Sequence, residues 1–164
     1  MFINLMEEKK IMESTNYLTF ENAKLIFKNF KGEKTQFNRE GNKNFCVVIE
    51  NAEDAEALKN DGWNVKQLSS KDDEEDILYY LPVAVAFDPY PPRVELIGGR
   101  RVLLDEENIS TLDQVDIKTV DLVLRPYTWE VNGKTGIKAY LKTMYVTINE
   151  DPYAAKYEHI PFGD

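Results

Sequence analysis

Two runs near the carboxyl end of the chain carry cations and rings in alternation: Arg125, Tyr127 and Trp129 on one, Lys138, Tyr140 and Lys142 on the other. Cations neutralise phosphates. Exposed rings stack on unpaired bases, at about 1–3 kcal/mol per base and with little regard to which base it is. The two kinds act together only if they share a face. Asn132-Gly133 between the runs supplies that geometry, because both residues accept the positive φ angles of a type I′ hairpin turn. With those two as the loop, Val131 pairs with Lys134. Glu130 then stands opposite Thr135, Thr128 opposite Ile137, Pro126 opposite Ala139, Leu124 opposite Leu141 and Leu122 opposite Thr143. This face turns apolar away from the turn and belongs to a core, while the six cationic and aromatic side chains fall on the other. A pairing shifted by two residues keeps that division, and one shifted by a single residue destroys it. The competing reading packs the rings beneath another strand or a loop.

A second, weaker signal lies upstream. Residues 17–30 read as a strand and 44–49 as its partner, joined through the polar loop Asn38-Arg39-Glu40-Gly41-Asn42-Lys43. Lys24 and Lys28 share a face of the first strand. Lys31, Lys34, Arg39 and Lys43 line the loop, where flexible bases can follow a phosphate backbone. Lys24, Lys28, Arg39 and Lys43 therefore join the candidate nucleic-acid contacts, against the plainer reading of a solvated edge.

Nothing in the chain points to catalysis. Its one histidine, His159, lies close to the carboxyl end, so a Ser-His-Asp or Cys-His arrangement would need the tail to fold back. Cys46 sits in the apolar run Phe45-Cys46-Val47-Val48-Ile49 and reads as a small hydrophobe in a strand. Gly98-Gly99 lacks the further glycines and the lysine of a phosphate-cradling loop. There is no zinc ligand set, and the acidic run Asp72-Asp73-Glu74-Glu75-Asp76 has no ligand spacing. No cofactor, metal or catalytic residue is expected.

With 164 residues the chain accommodates one domain of ordinary size, and its aromatic share of 12% provides for a packed core. A net charge of −9 stands against a polyanion ligand, but the charge is unevenly spread. Bases outnumber acids from Phe20 to Phe45 and from Lys118 to Ile148, while acids gather between Glu50 and Asp76 and in the carboxyl tail. Such asymmetry describes a basic face with acidic regions turned elsewhere. No apolar run approaches membrane-spanning length, and the early Glu7-Glu8-Lys9-Lys10 cluster argues against a secretory signal, so a cytoplasmic location is expected.

Around the two hairpins the elements are short. Ala52 to Lys59 forms a helix that ends in a left-handed cap near Gly62; strands follow over 63–68 and 77–87. Asp88-Pro89-Tyr90-Pro91-Pro92 makes a stiff turn. Arg93–Ile97 and Arg101–Leu104 form a tight hairpin, 105–115 holds a short helix, and 120–131 and 134–148 are strands. This is a mainly β chain with a closed or nearly closed barrel, five-stranded and of the oligonucleotide-binding (OB) type, with extra hairpins. It divides into a flexible leader over 1–16, the binding domain over 17–150 and a tail over 151–164.

The tail, Glu158-His159-Ile160-Pro161-Phe162-Gly163-Asp164, resembles the tip of bacterial single-stranded DNA-binding proteins, an acidic stretch ending in Ile-Pro-Phe or Leu-Pro-Phe. In that family the tip docks replication and repair enzymes, which implies the same role for Ile160, Pro161 and Phe162. Here Gly163 and Asp164 follow the phenylalanine and a dense acidic run is missing. More of the chain, roughly residues 20 to 150, is similar to the single-stranded DNA-binding proteins of tailed bacteriophages. That similarity rests on Phe37 to Phe45, on Asp61-Gly62-Trp63-Asn64-Val65-Lys66, and on Trp129-Glu130-Val131-Asn132-Gly133 through Ala139-Tyr140-Leu141-Lys142. It implies an OB barrel without a cofactor and a role in phage replication or recombination. The alternative is a protein-interaction module that engages a host or replication protein through its acidic surface. Homo-oligomer formation stays open.

Overall fold

The computed structural model describes residues 2–6, 17–69 and 76–149. In chain order its elements are β1 (Phe2–Met6), β2 (Tyr17–Glu21), β3 (Leu25–Asn29), β4 (Lys43–Ile49), α1 (Ala52–Asn60), β5 (Lys66–Ser69), β6 (Ile77–Val85), β7 (Arg93–Ile97), β8 (Arg101–Leu104), a 3-10 helix (Ile109–Asp113), β9 (Ile117–Val131) and β10 (Lys134–Ile148). β1 pairs antiparallel with β2, so the flexible leader expected over 1–16 gives way to a strand over 2–6. The acidic run at 72–75 and the tail with Ile160, Pro161 and Phe162 lie outside the described residues.

The strand expected over 17–30 is broken. Asn22 takes a φ of 56°, and its N–H donates to Asp121 Oδ1 at 2.9 Å. Asparagine tolerates that left-handed conformation better than other side-chain-bearing residues. Directly after Asn22 the backbone changes neighbours: Ala23 N–H still donates to the Val120 carbonyl at 2.7 Å, while the Lys24 carbonyl accepts from Val48 N–H at 2.9 Å. β2 thus pairs with β9, and β3 with β4.

The sheet runs β1-β2-β9-β10-β6-β4-β3 and is not closed by pairing between its end strands; the bent β2–β3 segment links the two sides covalently. β6 and β10 run parallel while the other pairs along this path are antiparallel. These five members, the bent β2–β3 segment, β4, β6, β10 and β9, are the OB-like arrangement. β5 adds to β6, and the β7–β8 hairpin adds to the outer end of β10.

One apolar cluster fills the interior. Leu18 and Phe20 of β2, Leu122 and Leu124 of β9, and Leu81 of β6 are at most 1% exposed, and Phe30 stacks on Phe45 with ring centroids 5.1 Å apart. Each such side chain contributes about 1.5–3 kcal/mol by leaving water. Helix α1 begins at Asn51, whose side chain accepts from Glu53 and Asp54 N–H, and ends before Gly62 with φ 105°, as expected of a left-handed stop. It lays Ala55 and Leu58 on the core. Trp63 is buried and forms a single bridge to Ile137, so the strand expected from residue 63 begins at Lys66. The helix expected within 105–115 is the short 3-10 turn that buries Ile109 and Leu112.

Candidate nucleic-acid interface

The β9–β10 hairpin turns at Asn132 and Gly133, with φ angles of 51° and 80°, as a two-residue turn requires. From Val131–Lys134 to Leu124–Leu141 the register is the expected one. A bulge at Lys142 then advances β10, so Leu122 faces Met144 and not Thr143. The extra residue bends the strand and lets apolar residues continue inward: Ala139, Leu141, Met144 and Val146 are all buried.

On the outer face the six side chains gather. Arg125 Cζ lies 5.1 Å from the centre of the Tyr140 ring, Lys138 Nζ 5.2 Å from the same ring, and Tyr127 meets Tyr140 edge-on at 6.0 Å. These spacings fall within cation–π and aromatic-pair range, so Tyr140 is held by two charges and Tyr127 by the Tyr140 ring. Lys142 Nζ stands 5.2 Å over the ring of Tyr17 on β2, and Arg125 also approaches Tyr90, at 5.5 Å. Tyr127 is 53% and Trp129 38% exposed, which rules out the competing reading for these two rings. Trp129 owes its position to a glycine. Gly136 stands opposite in the register, and a Cβ there would come within 2.5 Å of the indole Cζ2.

Beside this ladder lies a groove of about 750 Å³. Its floor crosses the outer face of β4 and β6 through Asn44, Cys46, Pro82 and Ala84, small enough together to keep it shallow and open. Trp129, Lys138 and Tyr140 form one wall, and the loop between β3 and β4 forms the other through Phe37 and Asn38, with Lys43 at the start of β4. In OB folds this face, between the loop after the first strand and the final hairpin, receives oligonucleotides. Asp88 and Glu106 also border the groove and oppose a polyanion at that end.

The β3–β4 loop is braced where free bases were expected. Asn38 Nδ2 donates to the carbonyls of Glu33, Arg39 and Asn42 at 2.9–3.1 Å, and its Oδ1 accepts from Asn44 Nδ2. At the loop's base Asp113 accepts from the N–H groups of Phe30 and Lys31, both at 2.9 Å. Phe37 is left 89% exposed at the groove. Lys28 is engaged within the fold: its ammonium donates to the Leu112 carbonyl at 2.9 Å, and the shared face expected for Lys24 and Lys28 is interrupted between them, where Phe27 takes a φ of 50° and the register with β4 shifts. Lys24 and Arg39 are exposed but outside the groove wall. Cys46 is buried in the floor. Burial pushes its thiol up from 9.0 to about 11 against the pull of Lys66, leaving it neutral and unreactive near pH 7.

Sequence reasoning missed Phe37, Tyr17, Tyr90 and Gly136. An aromatic residue in a polar loop was the available signal for Phe37. Gly136 acquires meaning only once Trp129 stands across from it.

An OB-like sheet with a groove bounded by rings and cations is the architecture of an oligonucleotide-binding β-domain. Residues 7–164 match the family described as "Putative phage ssDNA-binding domain", and the chain belongs to that family. The single-stranded DNA-binding protein from bacteriophage Enc34 in complex with ssDNA has a similar fold, with a TM-score of 0.51 at 14% identity over 91% of this chain and 98% of that one. A further structure of the single-stranded DNA-binding protein from bacteriophage Enc34 gives a TM-score of 0.49 at 12% identity, covering 98% of this chain and 94% of that one. No curated protein matches the chain in sequence. Among the described residues no helix is long and apolar enough to cross a membrane, and no three potential metal ligands gather.

Proposed function

We propose that the domain coats single-stranded DNA with little sequence preference, by stacking bases on Tyr127, Trp129 and Tyr140 while Arg125, Lys138, Lys142 and Lys43 neutralise phosphates. The observation that carries this reading is the exposed Tyr127 and Trp129 beside Tyr140, which Arg125 and Lys138 approach at 5.1 and 5.2 Å, all on one face that borders an open groove. Rings offer every base the same π-face, so affinity comes without a sequence code. Family membership gives the ligand class, and the role is to hold strands open during phage replication and recombination in the host cytoplasm. The action is binding without chemistry, and Ile160-Pro161-Phe162 serves as a docking segment for replication or recombination proteins.

Titration with oligo-dT is the test. Binding is expected to quench tryptophan fluorescence, to weaken steeply with salt, and to lose about 1–3 kcal/mol in Trp129→Ala. A Trp129→Ala protein that folds normally and binds as tightly as the parent overturns the site. Failure to bind either single- or double-stranded oligonucleotides at low salt favours a protein-interaction module.

A further inference from the structure

The outer face does not end at the groove. In an antiparallel or parallel ladder, paired residues share a face, so the register extends the ligand side outward from Tyr140 and Arg125. Past the bulge, Thr143 pairs with Val123 and with Arg93, and Tyr145 pairs with Asp121 and with Glu95. Across β7 and β8, Glu95 pairs with Leu103 and Ile97 with Arg101. Arg93, Glu95 and Arg101 therefore stand on the same side as the ladder of rings, while Val94 and Leu104 point into the core.

Glu95 is the one charged residue among those found buried, and two guanidinium groups hold it. Arg93 Nε–H donates to Oε2 at 3.0 Å; Arg101 donates to Oε1 from Nε at 2.9 Å and approaches it with Nη2 at 2.7 Å. Arg101 foremost, and then Arg93, keeps the carboxyl below the usual carboxylate range despite its partial desolvation. One arginine would neutralise Glu95. The second leaves the cluster net positive, and both arginine side chains remain open to solvent, 61% and 63% exposed against 9% for the glutamate. Ion pairs with such exposed partners add little to stability, whereas a braced guanidinium keeps its remaining N–H donors for a phosphate. Leu103, across from Glu95, is likewise open to solvent, at 57%. The other acid on this stretch, Asp121, accepts from Asn22 N–H. Tyr90 bridges the two regions: it is 68% exposed, contacts Arg125, and lies three residues before Arg93.

We propose that the bound strand continues beyond the groove along the outer face of β10, stacks on Tyr90, and places a phosphate in a clamp formed by Arg93 and Arg101. The inference rests on the single-strand reading above and lengthens its site: Tyr145 lies nine residues on from Gly136 along β10, about 30 Å at strand rise.

The test compares dT oligonucleotides of about 5 and about 16 nucleotides, spanning the site sizes known for one OB fold. Anisotropy titrations across a range of salt are made with the full chain, Arg93→Gln, Arg101→Gln and Tyr90→Ala. With the long oligonucleotide each arginine variant is expected to flatten the slope of log affinity on log salt by about 0.7, the value for one phosphate on a single strand. The short one is expected to bind both arginine variants as it binds the parent. Tyr90→Ala should weaken the long complex at least fivefold; on an exposed turn it carries the test if an arginine variant melts early. Parent-like affinity and salt slope for the long oligonucleotide in all folded variants overturn the clamp. A parent chain that binds neither length overturns the single-strand reading itself, and Trp129→Ala losing affinity while these variants do not overturns the extension alone.

Discussion

Gly136→Ala separates ligand binding from folding. A methyl group at this position would lie 2.5 Å from Cζ2 and 2.8 Å from Cε2 of the Trp129 indole, well inside contact distance. Gly136 is not among the glycines with positive φ, so the backbone accepts alanine, and a Gly→Ala change at a compatible site stabilises by about 0.4–1 kcal/mol through the unfolded chain. Against that stands the displaced indole. With 38% of the residue exposed it swings outward, at about 0.5–1.5 kcal/mol for an off-rotamer side chain. The two effects offset to within about 1 kcal/mol, which moves the melting temperature by roughly 2–4 °C at most. Binding has no such compensation. If a base stacks on the indole where it now lies, displacing the ring forfeits up to the full contribution of one stacked base, about 1–3 kcal/mol, or roughly 5- to 150-fold in affinity. The assay is a tryptophan fluorescence titration with oligo-dT beside a thermal melt; Trp63, 4% exposed, contributes a buried background. Red-shifted emission together with parent-like affinity would refute stacking on Trp129.

Cys46 is expected to resist a thiol reagent at pH 8 and to react once denaturant exposes it. Because the fold favours its neutral form, the associated stability is complete below about pH 9 and drains away as pH rises toward 11, which urea titrations at pH 7.5 and 10.5 compare. Asn51→Ala removes the acceptor for two helix N–H groups and should cost about 0.5–2 kcal/mol in urea unfolding, without altering DNA affinity. Phe45→Ala, deleting a fully buried ring stacked on Phe30, should cost about 3–5 kcal/mol in the same experiment.

What was legible in the chain was local. Asn132-Gly133 specifies a hairpin from two residues, and strand alternation then assigns Arg125, Tyr127, Trp129, Lys138 and Tyr140 to one face with no reference to the rest of the molecule. The cap at Asn51 and the stop at Gly62 are local in the same sense. The tertiary structure decided the rest. The break at Asn22 exists because one segment must pair with β9 before it and β4 after it, and the diversion of Lys28 to the Leu112 carbonyl accompanies a second irregularity, at Phe27, where the pairing with β4 shifts. The bulge at Lys142 arises where β10 leaves β6 for β7, a change of neighbour between segments far apart in the chain. Likewise the groove, and the alignment of Arg93 and Arg101 with the ring ladder, come from strands whose order in space differs from their order in sequence. Turn chemistry and alternation act between residues a few positions apart, so a sequence carries them openly; the choice of sheet neighbours is made by burying the whole core at once, and no short stretch contains it.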